Sequence, residues 1–242
     1  MPCAEVLNRG AMTNPKVLAR FAGLLYLILA VLGGWAELYV RGTVYVPGDA
    51  AATADNIVEH ATLFRLGLTA DILMATAFVF LGLALYRLLH HVSNRAATAL
   101  IVFVAVGAGY ILVNLTFHFG ALLVATDPAY ATSLGTGGDA LTLLLLDLHH
   151  YGYILGGVFF GLWLLPMGYV AYRSNMFPRL LGVLLIIGAF TFIADPLIVF
   201  TLPDAPGMLR DAMALPPSIA EVCLILYLLI VGVRTRQEIP AP

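Results

Sequence analysis

The sequence predicts an all-α polytopic membrane protein, a six-helix transmembrane bundle with both termini cytoplasmic. Three observations predict it. Of the 242 residues, 61% are hydrophobic and 11% are charged, whereas a soluble domain is roughly a quarter charged. So few charges do not cover a water-facing surface, and lipid must be the solvent for much of the chain. Six apolar stretches are each long enough to cross ~30 Å of hydrocarbon as helix. The basic residues, finally, fall mostly on one side of those stretches.

The stretches run approximately Leu18–Val40, Leu63–Leu88, Ala97–Ala125, Leu141–Tyr172, Leu180–Leu202 and Ser218–Val233. In lipid a spanning segment must satisfy its own backbone polar groups, and the alternation of a membrane barrel is absent, so each reads as a helix. The first is too long for a secretion signal, lacks an A-x-A cleavage pattern and precedes five more spans. The domain organisation expected is a disordered cytoplasmic tail over 1–17, one transmembrane domain over 18–234 and a cytoplasmic tail over 235–242.

Arg9, Lys16 and Arg20 precede the first helix, Arg87 and Arg95 flank the link between helices 2 and 3, Arg173 and Arg179 flank the next such link, and Arg234 and Arg236 follow helix 6. Only Arg41, Arg65 and Arg210 lie on the other side, and the positive-inside rule then places both termini in the cytoplasm. The two short cytoplasmic links make helices 2/3 and 4/5 antiparallel neighbours. In the first outward loop Asp49 is suited to cap a short helix at the interface. The third outward loop, Asp204 to Pro217, is too proline-rich for a long helix.

Composition also excludes some functions. The net charge is −2, with no basic patch to bind nucleic acid. Lys16, the only lysine, precedes the first span, which excludes a retinal Schiff base and a catalytic intramembrane lysine. Cys3 and Cys223 have no paired spacing, so neither a disulfide nor a thiolate metal site is expected.

Ionisable residues inside a membrane are costly and by default mark a functional site. Glu37, Asp71, Asn114, His118, Asp147, His149, His150, Asp195 and Glu221 all fall within about 5–15 Å of the outer surface at ~1.5 Å rise per residue. Several share a helical face with small residues: Glu37 with Gly33, Asp71 with Gly67 and Ala75, His150 with Gly157 and Gly161, Asp195 with Gly188. Small residues mark close helix packing, so these polar groups are expected to face the bundle and converge on an outward-opening pocket. Asp147 and His149 lie about 200° apart on one helix and do not address the same point. Plainer readings stand beside this. Asp195-Pro196 reads equally as a helix-terminal cap or turn, Glu37 with Arg41 as an interfacial ion pair, Arg65 as a structural partner of Asp71 or Glu37, and His90-His91 as a solvated helix end.

At Phe177-Pro178-Arg179-x-Leu181-Gly182-Val183-Leu184 the chain resembles the bacterial membrane family catalogued as domain of unknown function 4386. Pro47-Gly48-Asp49, Phe64-Arg65-x-Gly67, Leu146-Asp147-Leu148-His149, Tyr151-Gly152-Tyr153 and Ile219-Ala220-Glu221 carry the same resemblance, which covers about Ala19 to Val233. It implies a multi-helix membrane protein, supplies no activity, and favours His149 over His150 as the family-like histidine.

Three function classes follow. The first is small-ligand or proton-linked binding or transport in a bacterial inner membrane, with Glu37, Arg65, Asp71, Asn114, Asp147, Asp195 and Glu221 as binding groups; this is the reading preferred. The second is a metal-dependent hydrolase acting near the outer leaflet, with His118, His149 and His150 as ligands to a divalent metal; a bis-histidine haem ranks below it. The third is a structural or regulatory subunit of a membrane complex. The partners expected are the lipid bilayer and a small-molecule ligand, not nucleic acid, and a homo-oligomer is left open.

Overall fold

The computed structural model describes residues 14–202 and 204–234. The expectations for Cys3, Arg9, Arg236 and the terminal tails lie largely outside those residues. Six helices are long and apolar enough to cross a membrane: α1 (Pro15–Val44), α3 (Ala61–Leu89), α4 (Asn94–Thr126), α6 (Gly138–Arg173), α7 (Arg179–Thr201) and α8 (Gly207–Ile230). Two short helices, α2 (Ala50–Glu59) and α5 (Pro128–Leu134), lie in the connections. The shortest span, α7, has 23 residues, about 35 Å at 1.5 Å per residue, which exceeds the hydrocarbon thickness.

The six long helices close a ring in the order α1, α3, α4, α6, α7, α8, each packing against two neighbours. The tight links place α3 beside α4 and α6 beside α7, as their length demands. At the arginine-rich end the ring is filled. Tyr26, Phe78, Leu85, Trp163, Met167, Leu224 and Leu228 are buried there in one apolar cluster. Tyr26 and Phe78 each meet the Trp163 ring edge-on, at 5.4 and 5.6 Å between centroids, a geometry the aromatic quadrupoles favour. Glycines set the closest crossings. A Cβ on Gly168 would lie 3.0 Å from the Gly182 carbonyl, and one on Gly182 would lie 2.6 Å from the Tyr172 nitrogen, so α6 and α7 touch backbone to backbone.

Asp49 caps α2, its carboxylate accepting from the Ala52 amide at 2.9 Å, and α2 packs across α4 and α6. A second small apolar cluster, including Val44, Ile57, Phe64, Leu122 and Leu146, forms beneath it.

Two expectations are corrected. The stretch from Asp204 to Pro217 is mostly helical, because α8 begins at Gly207 and carries Pro216 and Pro217 inside it. Each proline removes one amide donor. Gly188 of α7 leaves room for the local backbone, since a Cβ there would lie 2.8 Å from Pro217 Cα, and the Ser218 hydroxyl donates to the Ala214 carbonyl at 2.7 Å. Asp195-Pro196 is likewise not a helix end: α7 continues to Thr201 with Pro196 inside.

The end of α1 departs from a plain α-helix. Trp35–Arg41 is π-helical, with i→i+5 bonding that widens the turn and re-aims the side chains after it. Arg41 is thereby directed into the bundle, where it is 8% exposed.

Candidate functional site

The polar residues of the bundle fall into two connected groups, not one. The first lines a cleft of about 690 Å³ in the ring interior, bordered at one end by Tyr26 and Phe78 of the packed aromatic core. All six spanning helices contribute to its wall. Most of the wall is apolar, including Met74, Phe78, Ile111, Phe160 and Phe192, and besides Tyr26 and Tyr153 its ionisable members are Glu37, His150, Asp195, Arg210 and Glu221.

These charges differ in how they are balanced. Asp195 accepts from Arg210 Nε at 3.3 Å, and both remain partly exposed. Glu37 accepts from Arg41 Nε at 2.6 Å. Glu221 accepts from the Tyr26 hydroxyl at 2.7 Å, and no basic side chain among the described residues forms an ion pair with it. Tyr26 is 1% exposed and held by Trp163, so the carboxylate is oriented by a rigid partner.

The second group lies behind the cleft. Arg41 reaches Asp71 with Nη1 at 2.7 Å and Nη2 at 3.4 Å and sits 5.8 Å over the Tyr153 ring. One buried guanidinium therefore joins carboxylates from α1 and α3, leaving one net negative charge when all three are ionised. Beside it is a void of about 10 Å³, lined in part by Arg41, Asp71, Asn114, His149 and Tyr153. That is space for about one water molecule.

Asn114 ties α4 to α6. Its Nδ2 donates to the His149 carbonyl at 2.9 Å, and His149 Nδ1 lies 3.2 Å from both Asn114 Nδ2 and the Asn114 carbonyl. Gly152 permits this contact, because a Cβ there would collide with the Asn114 amide. The His118 ring stands 4.8 Å from that of His149 and 4.0 Å from that of Phe64. His118 is fully buried and His149 nearly so, and both His118 ring nitrogens and His149 Nε2 have no hydrogen-bond partner among the described residues.

Two remaining candidates stand apart. Asp147 accepts from the Tyr45 hydroxyl at 2.5 Å, and Tyr45 also lies against His150, 5.6 Å between rings. Burial and the hydrogen bond to Asp147 raise the Tyr45 hydroxyl well above its ordinary value, burial first. It stays a donor at any physiological pH. Arg65 is exposed and pairs with neither Asp71 nor Glu37, because Arg41 occupies both. His90 and His91 are exposed at the end of α3.

Sequence reasoning placed Arg41 only at the interface and passed over Tyr26, Tyr45 and Tyr153. The available signal was the position of Tyr26 in an otherwise aliphatic stretch. Nothing in the residue pattern indicated the π turn that carries Arg41 inward. Among the described residues, no three His, Cys, Asp or Glu side chains group as metal ligands.

A family model described as a domain of unknown function (DUF4386) matches residues 21–232. No curated protein and no solved structure matches the chain.

Proposed function

We propose a ligand-binding role, with cation and proton competing for one carboxylate, for this chain, which belongs to the DUF4386 family of membrane-spanning helical proteins. One observation carries the reading. Glu221 lies on the wall of a largely apolar cleft with a tyrosine hydroxyl oriented on it and no cation bonded to it. An ionised carboxylate in such surroundings is costly unless its charge is neutralised. A proton neutralises it, and so does a positively charged ligand, so each displaces the other. Glu37 lines the same space, and its group with Arg41 and Asp71 keeps one net negative charge, while Asp195 is balanced there by Arg210. Coupled exchange of this kind is the elementary step of a proton-linked transporter. The distribution of Lys and Arg supports cytoplasmic termini, which would turn the cleft toward the outer face.

The test is thermal protection of the purified chain in nanodiscs by hydrophobic cations such as tetraphenylphosphonium. Protection in the parent and its loss in a folded Glu221→Gln variant is the expected result. Equal protection in both, or none in either, would overturn the reading.

A second reading is favoured by the His118–His149 pair, in which each histidine offers one ring-nitrogen donor to a metal ion. Stoichiometric metal in the purified protein, lost in His149→Ala, supports it. Metal-free protein from metal-supplemented growth contradicts it.

A further inference from the structure

The walls of the cleft differ in what lies behind them. Between α1 and α8 the backbone contact belongs to the arginine-rich end. A Cβ on Gly23 would lie 2.9 Å from Leu228 Cβ, one on Gly232 would lie 3.2 Å from the Lys16 carbonyl, and Arg20 donates to the Ile230 carbonyl at 3.3 Å. The Tyr26–Glu221 bond follows along the two helices. Beyond it, both helices line the same void: α1 through Ala30, Gly34 and Leu38, α8 through Val222 and Ser218. Both helices therefore border the void over about 18 Å of α1, from Tyr26 to Leu38.

That border carries two exposed aliphatic side chains beside the exposed Ser218. Leu38 is 80% exposed and Val222 54%, and both belong to spanning helices. Exposed aliphatic side chains on a spanning helix meet acyl chains, not water. Resting on the reading that Glu221 takes a cation, we infer that the cleft opens sideways into the bilayer between α1 and α8, and that its ligand is an amphipathic amine or quaternary ammonium compound drawn from the membrane. The cationic head sits at Glu221. The apolar body lies along Phe78, Phe160 and Phe192, whose contacts a small hydrated cation does not use. Such a ligand concentrates in the lipid phase, so an opening that faces acyl chains meets it at far higher local concentration than one facing water.

Binding to the full chain in zwitterionic nanodiscs tests this with three probes: ethyltrimethylammonium, decyltrimethylammonium and decanol. Protein-free discs give the partition correction. The expected result is that decyltrimethylammonium binds at least tenfold more tightly than the ethyl compound, that decanol does not displace it, and that Leu38→Trp with Val222→Trp slows its binding at least tenfold. The probe comparison needs no variant. Equal affinity for both ammonium ions overturns the amphipathic ligand, and unchanged binding rates in the rim variants overturn the lateral opening; either result leaves the cation site standing. Decanol competing equally makes the cleft a mere acyl groove and overturns the ligand class. No binding of any cation defeats the reading of Glu221 itself, and this inference with it.

Discussion

Arg41 is the residue on which the buried charges depend. It bonds Glu37 within α1 and Asp71 across the α1–α3 interface. Removing one partner of a buried pair leaves an uncompensated charge and costs about 3–5 kcal/mol. Arg41→Gln should therefore lower stability by that order in denaturant titration, and adding Asp71→Asn should recover part of the loss. Additive losses would mean that the pair is not coupled. His118 presents the opposite case. Its ring nitrogens are buried without partners among the described residues, and an unsatisfied buried polar group costs about 1–3 kcal/mol. His118→Phe keeps the ring packed against Phe64 and should raise the melting temperature. A fall accompanied by loss of bound metal would give His118 a ligand's role instead. The sequence exposed the cost of these ionisable groups but not their partners, because partnership is set by rotation of one helix against another. Arg65 is the mate the sequence offers for Asp71, and the π turn brings Arg41 there instead.

Among elements, α8 and α7 show where local rules lose to packing. Pro216-Pro217 reads as a helix stop, yet the helix runs through it, because Gly188 of α7 leaves room for the proline backbone. Lipid surroundings also favour continued helix, since an unwound segment exposes unpaired amides. Gly188→Ala should force α7 from α8 and destabilise by about 1–3 kcal/mol, the usual range for overpacking. Gly152→Ala should act similarly by pushing Asn114 off His149, with loss of the α4–α6 bond visible as faster amide exchange near His149. Unchanged stability in both would mean that these crossings are looser than the geometry indicates. The capped helix α2, by contrast, was legible from Asp49 alone, because an N-cap is a local device.

At the scale of the whole molecule, span number and the antiparallel pairs were legible because hydrophobic length and short links fix them. The closed ring, its filled end and its cleft were not, because they follow from which face of each helix turns inward. The expectation of one convergent pocket was too simple. Glu37, His150, Asp195 and Glu221 share the cleft, while Asp71, Asn114 and His149 border a separate small void. Small residues on helical faces marked contact surfaces correctly, as Gly161 and Gly168 against α7 attest, but contact and cavity look alike in sequence. If Glu221 exchanges a proton for a cation, affinity for cations must fall as pH falls, since protons then occupy the site.

The most direct measurement is proton release on binding. Tetraphenylphosphonium is added to the chain in weakly buffered nanodiscs across a pH series, and the protons released per bound cation are counted. The account predicts release approaching one proton per cation at the acidic end, none at the alkaline end, and none at any pH in Glu221→Gln. Cation binding without proton release throughout the series, unchanged in Glu221→Gln, would contradict it.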